Sequence, residues 1–162
     1  MNEEKIARKN MMAFPRVSGK NLERHKFTFP DDFEHDRNIV TIAFRREQQN
    51  DIDTWIPLVQ RLTQQHKDLA YYELPTISAM NPMFQWFINS GMRAGIPDRR
   101  ARAATITLYL DKGPFKQALG IPDEEHIYIL LVDSAGNILW RESGVWTPEK
   151  ESDLIAFLQS RK

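Results

Sequence analysis

Two short runs in this chain are almost continuously apolar: Asn38-Ile-Val-Thr-Ile-Ala-Phe44 and Ile127-Tyr-Ile-Leu-Leu-Val132. A strand with one wet face alternates apolar and polar residues, whereas a run that is apolar at both parities belongs to a strand covered on both faces. The β-branched residues in both runs suit extended backbone. Whatever this chain folds into must therefore contain a sheet with a packed layer on each side.

The segments around these runs supply the layers. Phe14 to Lys20 and His25 to Phe29 predict two short strands, an N-terminal hairpin. Residues 45–51 turn abruptly polar, and a helix is expected from Asp51 or Asp53, either a good N-cap. Its core-facing stripe is Ile52, Trp55, Val59 and Leu62, and Pro57 must sit in its first turn or kink it. Leu69 to Leu74 predicts a further strand. Asn81-Pro82 opens a helix carrying Phe84, Trp86, Phe87 and Ile88, with Gly91 as its stop. A basic connector, Arg93 to Arg102, leads to a strand at Thr105–Leu110 and a short helix at Phe115–Leu119. Asp133 to Asn137 carries hairpin-turn residues, Ile138 to Glu142 is the returning strand, and Thr147-Pro148-Glu149 opens a last helix that buries Leu154, Ile155, Phe157 and Leu158. Alternating strands and helices closed by a hairpin imply an α/β fold with a central mixed sheet. Residues 1–13 read as a polar arm and 14–162 as one domain.

Composition excludes several chemistries. There is no cysteine among the 162 residues, so the chain can form no disulfide, thiolate metal site or cysteine nucleophile. Lys plus Arg and Asp plus Glu each total 22. That balance disfavours general nucleic-acid binding and leaves self-association open. His25, His35, His66 and His126 follow no metal-binding spacing, and neither a phosphate-binding loop nor a dinucleotide fingerprint is present. No serine lies in a nucleophile elbow. No cofactor and no metal are expected. The first residues lack a signal-peptide core, Glu3 and Glu4 disfavour a transit sequence, and no apolar run is long enough to cross a bilayer. The expected location is cytoplasmic, or organellar if a leader has been removed.

The order of elements resembles the thioredoxin-like superfamily in its redoxin branch, a three-layer sandwich with an extra strand and short helix before the closing hairpin. More narrowly, Gly120-Ile-Pro-Asp-Glu-Glu-His-Ile-Tyr-Ile-Leu-Leu-Val-Asp-Ser-Ala-Gly-Asn-Ile-Leu-Trp-Arg resembles the signature of the mitochondrial ATP synthase Fo-assembly factor family, as does Gly144 to Glu149 after it. Phe44-Arg45 followed by Trp55 is similar to that family's central strand and next helix. The resemblance implies a chaperone-like assembly role without chemistry of its own. In redoxins the catalytic cysteine follows the first core strand; here that place holds Arg45-Arg-Glu-Gln-Gln-Asn-Asp-Ile-Asp-Thr-Trp55. The proline expected before the closing hairpin is absent, since His126-Ile127-Tyr128 occupies its place. Thiol oxidoreductase and peroxidase activities are thereby excluded.

Ligands of open α/β sheets favour the carboxyl ends of the strands, so the candidate site is the segment after the first core strand. Arg45 would supply charge, Gln48 and Gln49 hydrogen bonds, and Asp53 and Trp55 the start of the helix. Arg93, between Gly91 and Gly95, is a further candidate. The expected occupant is a protein partner; the alternative is an anionic small molecule, bound by an enzyme or sensor. The competing structural reading is a solvated loop with local ion pairs, and Arg99, Arg100 and Arg102 read as a helix surface paired with Asp98, Asp111 and other acids. Asp133 reads as a cap of its own hairpin turn.

Overall fold

The computed structural model describes residues 12–78 and 98–160. The predicted helix around 81–91, with Trp86 and Phe87, and the candidate Arg93 lie outside the described residues. Seven strands form one mixed sheet in the order β2-β1-β5-β4-β3-β6-β7. These are β1 (Val17–Asn21), β2 (Lys26–Phe29), β3 (Arg37–Ala43), β4 (Leu69–Ser78), β5 (Ile106–Leu110), β6 (Tyr128–Asp133) and β7 (Ile138–Ser143). The described α-helices are α1 (Gln49–Asp53), α2 (Ile56–Gln65), α3 (Arg99–Ala104), α4 (Lys112–Leu119) and α5 (Pro148–Ser160), and a 3-10 turn at Arg46–Gln48 leads into α1. β3, β4 and β5 run parallel, while β6 is antiparallel to β3 and β7 antiparallel to β6.

The two apolar runs are neighbouring strands, β3 and β6, paired from Arg37↔Asp133 to Ile42↔Tyr128. Their alternate residues feed two cores. Val40, Ile42 and Leu130 pack with Phe14, Phe29, Phe33, Tyr72, Leu108 and Phe115. Ile39, Ile129 and Leu131 pack with Ile52, Trp55, Leu58, Leu62, Leu154 and Leu158. Burying each such side chain contributes about 1.5–3 kcal/mol, which makes these two strands the spine of the fold. The N-terminal hairpin joins the sheet through β1, antiparallel to β5, and its Phe29 ring lies 4.5 Å from Phe33. Gly19 permits this docking: a Cβ there would stand 2.5 Å from the Thr107 carbonyl oxygen.

The structure departs from the sequence expectation in three places. The helix expected from Asp51 or Asp53 is divided, because Thr54 and Trp55 interrupt it; Pro57 then falls in the first turn of α2, where its missing N–H costs nothing. β4 continues through Pro75 to Ser78. Pro75 is tolerated because pairing with β3 ends there, at Ala43, and pairing with β5 begins at Thr76. Third, the helix surface expected at Arg99, Arg100 and Arg102 is there as α3, but its acids are used differently: Asp98 accepts from the Arg100 N–H at 3.0 Å and opens the helix. The acid that engages Arg102 is Glu23, at 2.8 Å, while Asp98 and Asp111 are helix caps. As expected, Asp133 caps its hairpin, accepting from the N–H groups of Ala135 at 3.0 Å and Asn137 at 2.8 Å, and Gly136 takes φ +90.

Candidate functional site

The carboxyl ends of β3, β4 and β5 lie at one end of the sheet, and the antiparallel register brings Tyr128 and Ser143 to that end too. Three stretches therefore meet there: residues 44–55 after β3, 123–127 before β6, and 143–147 after β7. Hydrogen bonds join them. Gln48 Oε1 accepts from the N–H groups of Phe44, at 2.7 Å, and Arg45, at 3.2 Å, while its Nε2 donates to the Glu124 carbonyl at 2.8 Å. The Trp55 indole N–H donates to the Gly144 carbonyl at 2.9 Å. Trp146 N–H donates to Thr54 Oγ1 at 2.9 Å, and Thr54 Oγ1 in turn donates to the Asp51 carbonyl at 2.7 Å.

A charge cluster backs this plate. The Glu124 carboxylate receives Lys112 and Lys116, each at 2.6 Å. The two ammonium groups hold its pKa below the ordinary value. Nearby, His126 and Asp123 are 3.1 Å apart, and that hydrogen bond lowers the Asp123 carboxyl.

Behind α1 lies a group of the opposite kind. Glu73, in the middle of β4, is only 7% exposed. Thr41 of β3 stands beside it in register, and Thr105 pairs with it by an isolated bridge on the other side. Burial raises its pKa; a hydrogen bond to Gln49 opposes that, and the charge of Asp53 adds to it. Tyr71, two residues away on the same face, bonds Thr41 Oγ1 through its hydroxyl at 2.9 Å. Burial, and after it the charge of Glu73, raises its pKa well above the ordinary value.

The candidate residues thus divide. Arg45 is exposed, and neither its guanidinium nor that of exposed Arg46 has an ion-pair partner among the described residues. Gln49 is half-buried and donates to exposed Asp53 at 3.0 Å. Gln48 and Trp55 are buried, with their polar groups committed inside the protein. The exposed side of the segment carries Arg45, Arg46, Glu47 and Asp53, with Gln49 half-buried beside them; Gln48 and Trp55 hold that side in place. Sequence reading passed over Glu73, Lys112, Lys116 and Glu124. Glu73 had a visible signal, a charge at an inward position of an apolar strand. The lysine pair had only its four-residue spacing on a helix, which does not name Glu124.

The comparisons with known proteins fit this geometry. The sequence matches the family described as ATP10 protein over residues 2–160. The chain belongs to the ATP10 family, the ATP synthase assembly-factor family. No curated sequence matches significantly. Among solved structures, a thiol:disulfide interchange protein from Bacteroides sp. superposes with a TM-score of 0.59 at 14% identity, covering 94% of this chain and 91% of that one. The thioredoxin domain of a thiol-disulfide oxidoreductase from Bacteroides vulgatus gives 0.54 at 16%, covering 90% and 94%. A thiol-disulfide oxidoreductase from Bacteroides fragilis gives 0.57 at 10%, covering 90% and 98%. At these identities the likeness establishes the fold, which is thioredoxin-like, and carries no activity with it. This ATP10 chain keeps that fold without a cysteine. Among its described residues no helix is long and apolar enough to cross a membrane.

Proposed function

We propose that this ATP10-family chain works as an assembly factor by binding a protein partner, without chemistry of its own, and that the partner contacts the segment after β3. One observation carries the proposal: where a redoxin places its nucleophile, this chain places a segment whose Gln48 and Trp55 are internally hydrogen-bonded and whose Arg45 and Arg46 point outward without ion-pair partners among the described residues. A rigid plate with free cations suits recognition of a carboxylate-bearing surface. Family membership supports a protein client. Arg93 remains a second candidate contact by its place in the sequence.

The test is capture of partners from an extract by the intact chain and by its Arg45→Ala variant. A specific protein retained by the first and weakened in the second is expected. Equal retention by both would refute the placement of the contact. A small anion is the second reading, supported by the same free guanidinium groups. It calls for native mass spectrometry of the purified protein, where a stoichiometric metabolite would displace the protein-binding proposal.

A further inference from the structure

A sheet is open wherever a strand has a neighbour on one side only, and among the described strands these are β2 and β7. β2 is four residues long and a poor template for further pairing. β7 has six residues, Ile138–Ser143, with neither a lysine nor a proline among them, the residues that commonly blunt an edge. Its outward groups follow from its register. Gly144 N–H donates to the Ile127 carbonyl at 3.0 Å, so Gly144 faces β6. By the alternation of an antiparallel ladder Glu142 faces β6 too, and Arg141 and Ser143 turn their N–H and C=O groups away from the sheet. At the other end of β7, Ile138 N–H turns outward and is taken by the Met12 carbonyl at 3.0 Å.

The outward groups of Ser143 are already occupied, and by side chains of this same chain. Lys150 Nζ donates to the Ser143 carbonyl at 2.7 Å and to the Val145 carbonyl at 2.9 Å. Glu142 Oε1 accepts from Ser143 N–H at 2.9 Å. A lysine ammonium ordinarily keeps its head in water; this one is half-buried and committed to edge carbonyls. An antiparallel pair of β7 strands, with Arg141 set against Ser143 of a second copy, would need those same two groups of Ser143. It would also bring Glu142 directly against Glu142 of the second copy at the two-fold axis, where like charges destabilise a ladder.

We propose that β7 is a strand-pairing edge held shut by Lys150 and Glu142, and that what they shut out is β7 of a second copy. Lys150 acts by occupying the carbonyl, and Glu142 by occupying the N–H and by its charge. A formal net charge of zero gives the molecules little overall repulsion, so keeping this edge single falls to local groups. The guard is independent of the proposed partner contact after β3.

The test uses the intact chain as wild type, Lys150→Met, Lys150→Arg and Glu142→Gln. Self-association is followed by sedimentation velocity over a concentration series, and amide exchange at Arg141 is followed alongside. Lys150→Met keeps the aliphatic stem and frees the Ser143 carbonyl in both copies, so dimer association is expected to rise by about tenfold to a hundredfold over wild type. Glu142→Gln lifts the like-charge contact and is expected to raise association by up to about fivefold. Lys150→Arg keeps donors for both carbonyls and is expected to behave as wild type. In the dimers Arg141 N–H gains protection, since it then donates to Ser143 of the second copy. Unchanged association in Lys150→Met, association without protection at Arg141, equal association in Lys150→Arg and Lys150→Met, or a wild type already paired through Arg141 would each overturn the guard. If Lys150→Met does not fold, Glu142→Gln decides: association and Arg141 protection that both stay at the wild-type level overturn it.

Discussion

Gln48 donates its side-chain N–H to the carbonyl of Glu124 at 2.8 Å while the same residue's Oε1 accepts from two consecutive backbone N–H groups, those of Phe44 and Arg45. One neutral side chain thereby fixes the exit of β3 and ties it to the entry of β6. Glu124 is held from its other end by Lys112 and Lys116, so the tie continues to α4. The candidate segment is tied to β3, to the entry of β6 and through Glu124 to α4 by a single amide.

Gln48→Ala should therefore destabilise the chain by about 1–3 kcal/mol, the cost of stranding buried polar groups. Gln48→Glu should be no better. Its carboxylate can still accept from Phe44 and Arg45, but its second oxygen would face the Glu124 carbonyl where a donor is needed. Urea unfolding of the three proteins checks this. A glutamate variant as stable as wild type would mean that the Glu124 bond contributes nothing.

The pH dependence of stability should have two limbs of opposite sign. Glu124 is held below its ordinary value by Lys112 and Lys116, and Asp68 by Arg37, which bonds it at 2.9 Å. Groups with depressed values add stability that is present above their ordinary pKa and is lost as pH falls through the folded one. Glu73, with its raised value, adds stability below its ordinary pKa that is lost as pH rises through the folded one. Stability should therefore fall on the acid side and also decline from mildly acidic pH upward. Glu124→Gln should flatten only the acid limb and Glu73→Gln only the other, both read from urea midpoints across pH. A single substitution that flattened both would contradict the assignment.

The parts of this structure that were legible in the sequence are those where a residue's neighbours are near in sequence or its role is set by burial alone. The doubly apolar β3 and β6, the Asp133 turn, and the Thr147 cap, which accepts from Lys150 N–H at 3.2 Å, all belong here. The address of the candidate segment followed from strand order. What could not be read is which of its polar residues turn inward. Gln48 and Gln49 are adjacent and chemically identical. One is buried against Glu124, 76 residues away in sequence, and the other faces Asp53. The break at Thr54 was signalled locally by Pro57, which falls in a first turn; the bond from Trp146 N–H to the Thr54 hydroxyl, 92 residues away in sequence, was not.

Gly19→Ala tests how the N-terminal hairpin docks. The added methyl would meet the Thr107 carbonyl oxygen at 2.5 Å and the side chains of Ile106 and Leu108 at 3.0 Å. Backbone oxygen cannot rotate away, so β1 must separate from β5. A loss of about 1–3 kcal/mol is expected, as for other overpacked sites, and is measurable as a lower midpoint in thermal unfolding. An unchanged midpoint would show that the β1–β5 pairing adds little to the fold.

Trp55→Phe separates packing from hydrogen bonding at the site. The ring keeps much of the apolar contact with the core around Ile52 and Leu58, but the Gly144 carbonyl loses its indole donor. The expected cost is about 1–3 kcal/mol for the stranded carbonyl, together with faster amide exchange across 143–147. Slow exchange there in the variant would indicate that Lys150, which donates to the carbonyls of Ser143 at 2.7 Å and Val145 at 2.9 Å, holds the stretch by itself.

Arg45→Ala and Arg46→Ala should behave in the opposite way to these buried substitutions. Both side chains are exposed and neither has an ion-pair partner among the described residues. Removing either should change stability by no more than about 0.5 kcal/mol, the usual range for surface positions. The bond from Arg45 to Gln48 is made by the backbone N–H, so it survives truncation of the side chain. The pair therefore isolates recognition from folding: partner capture should weaken while the urea midpoint stays in place. A variant that lost partner and stability together would make its guanidinium a structural group, and the outward face of the segment would then have to be sought in Gln49 and Asp53.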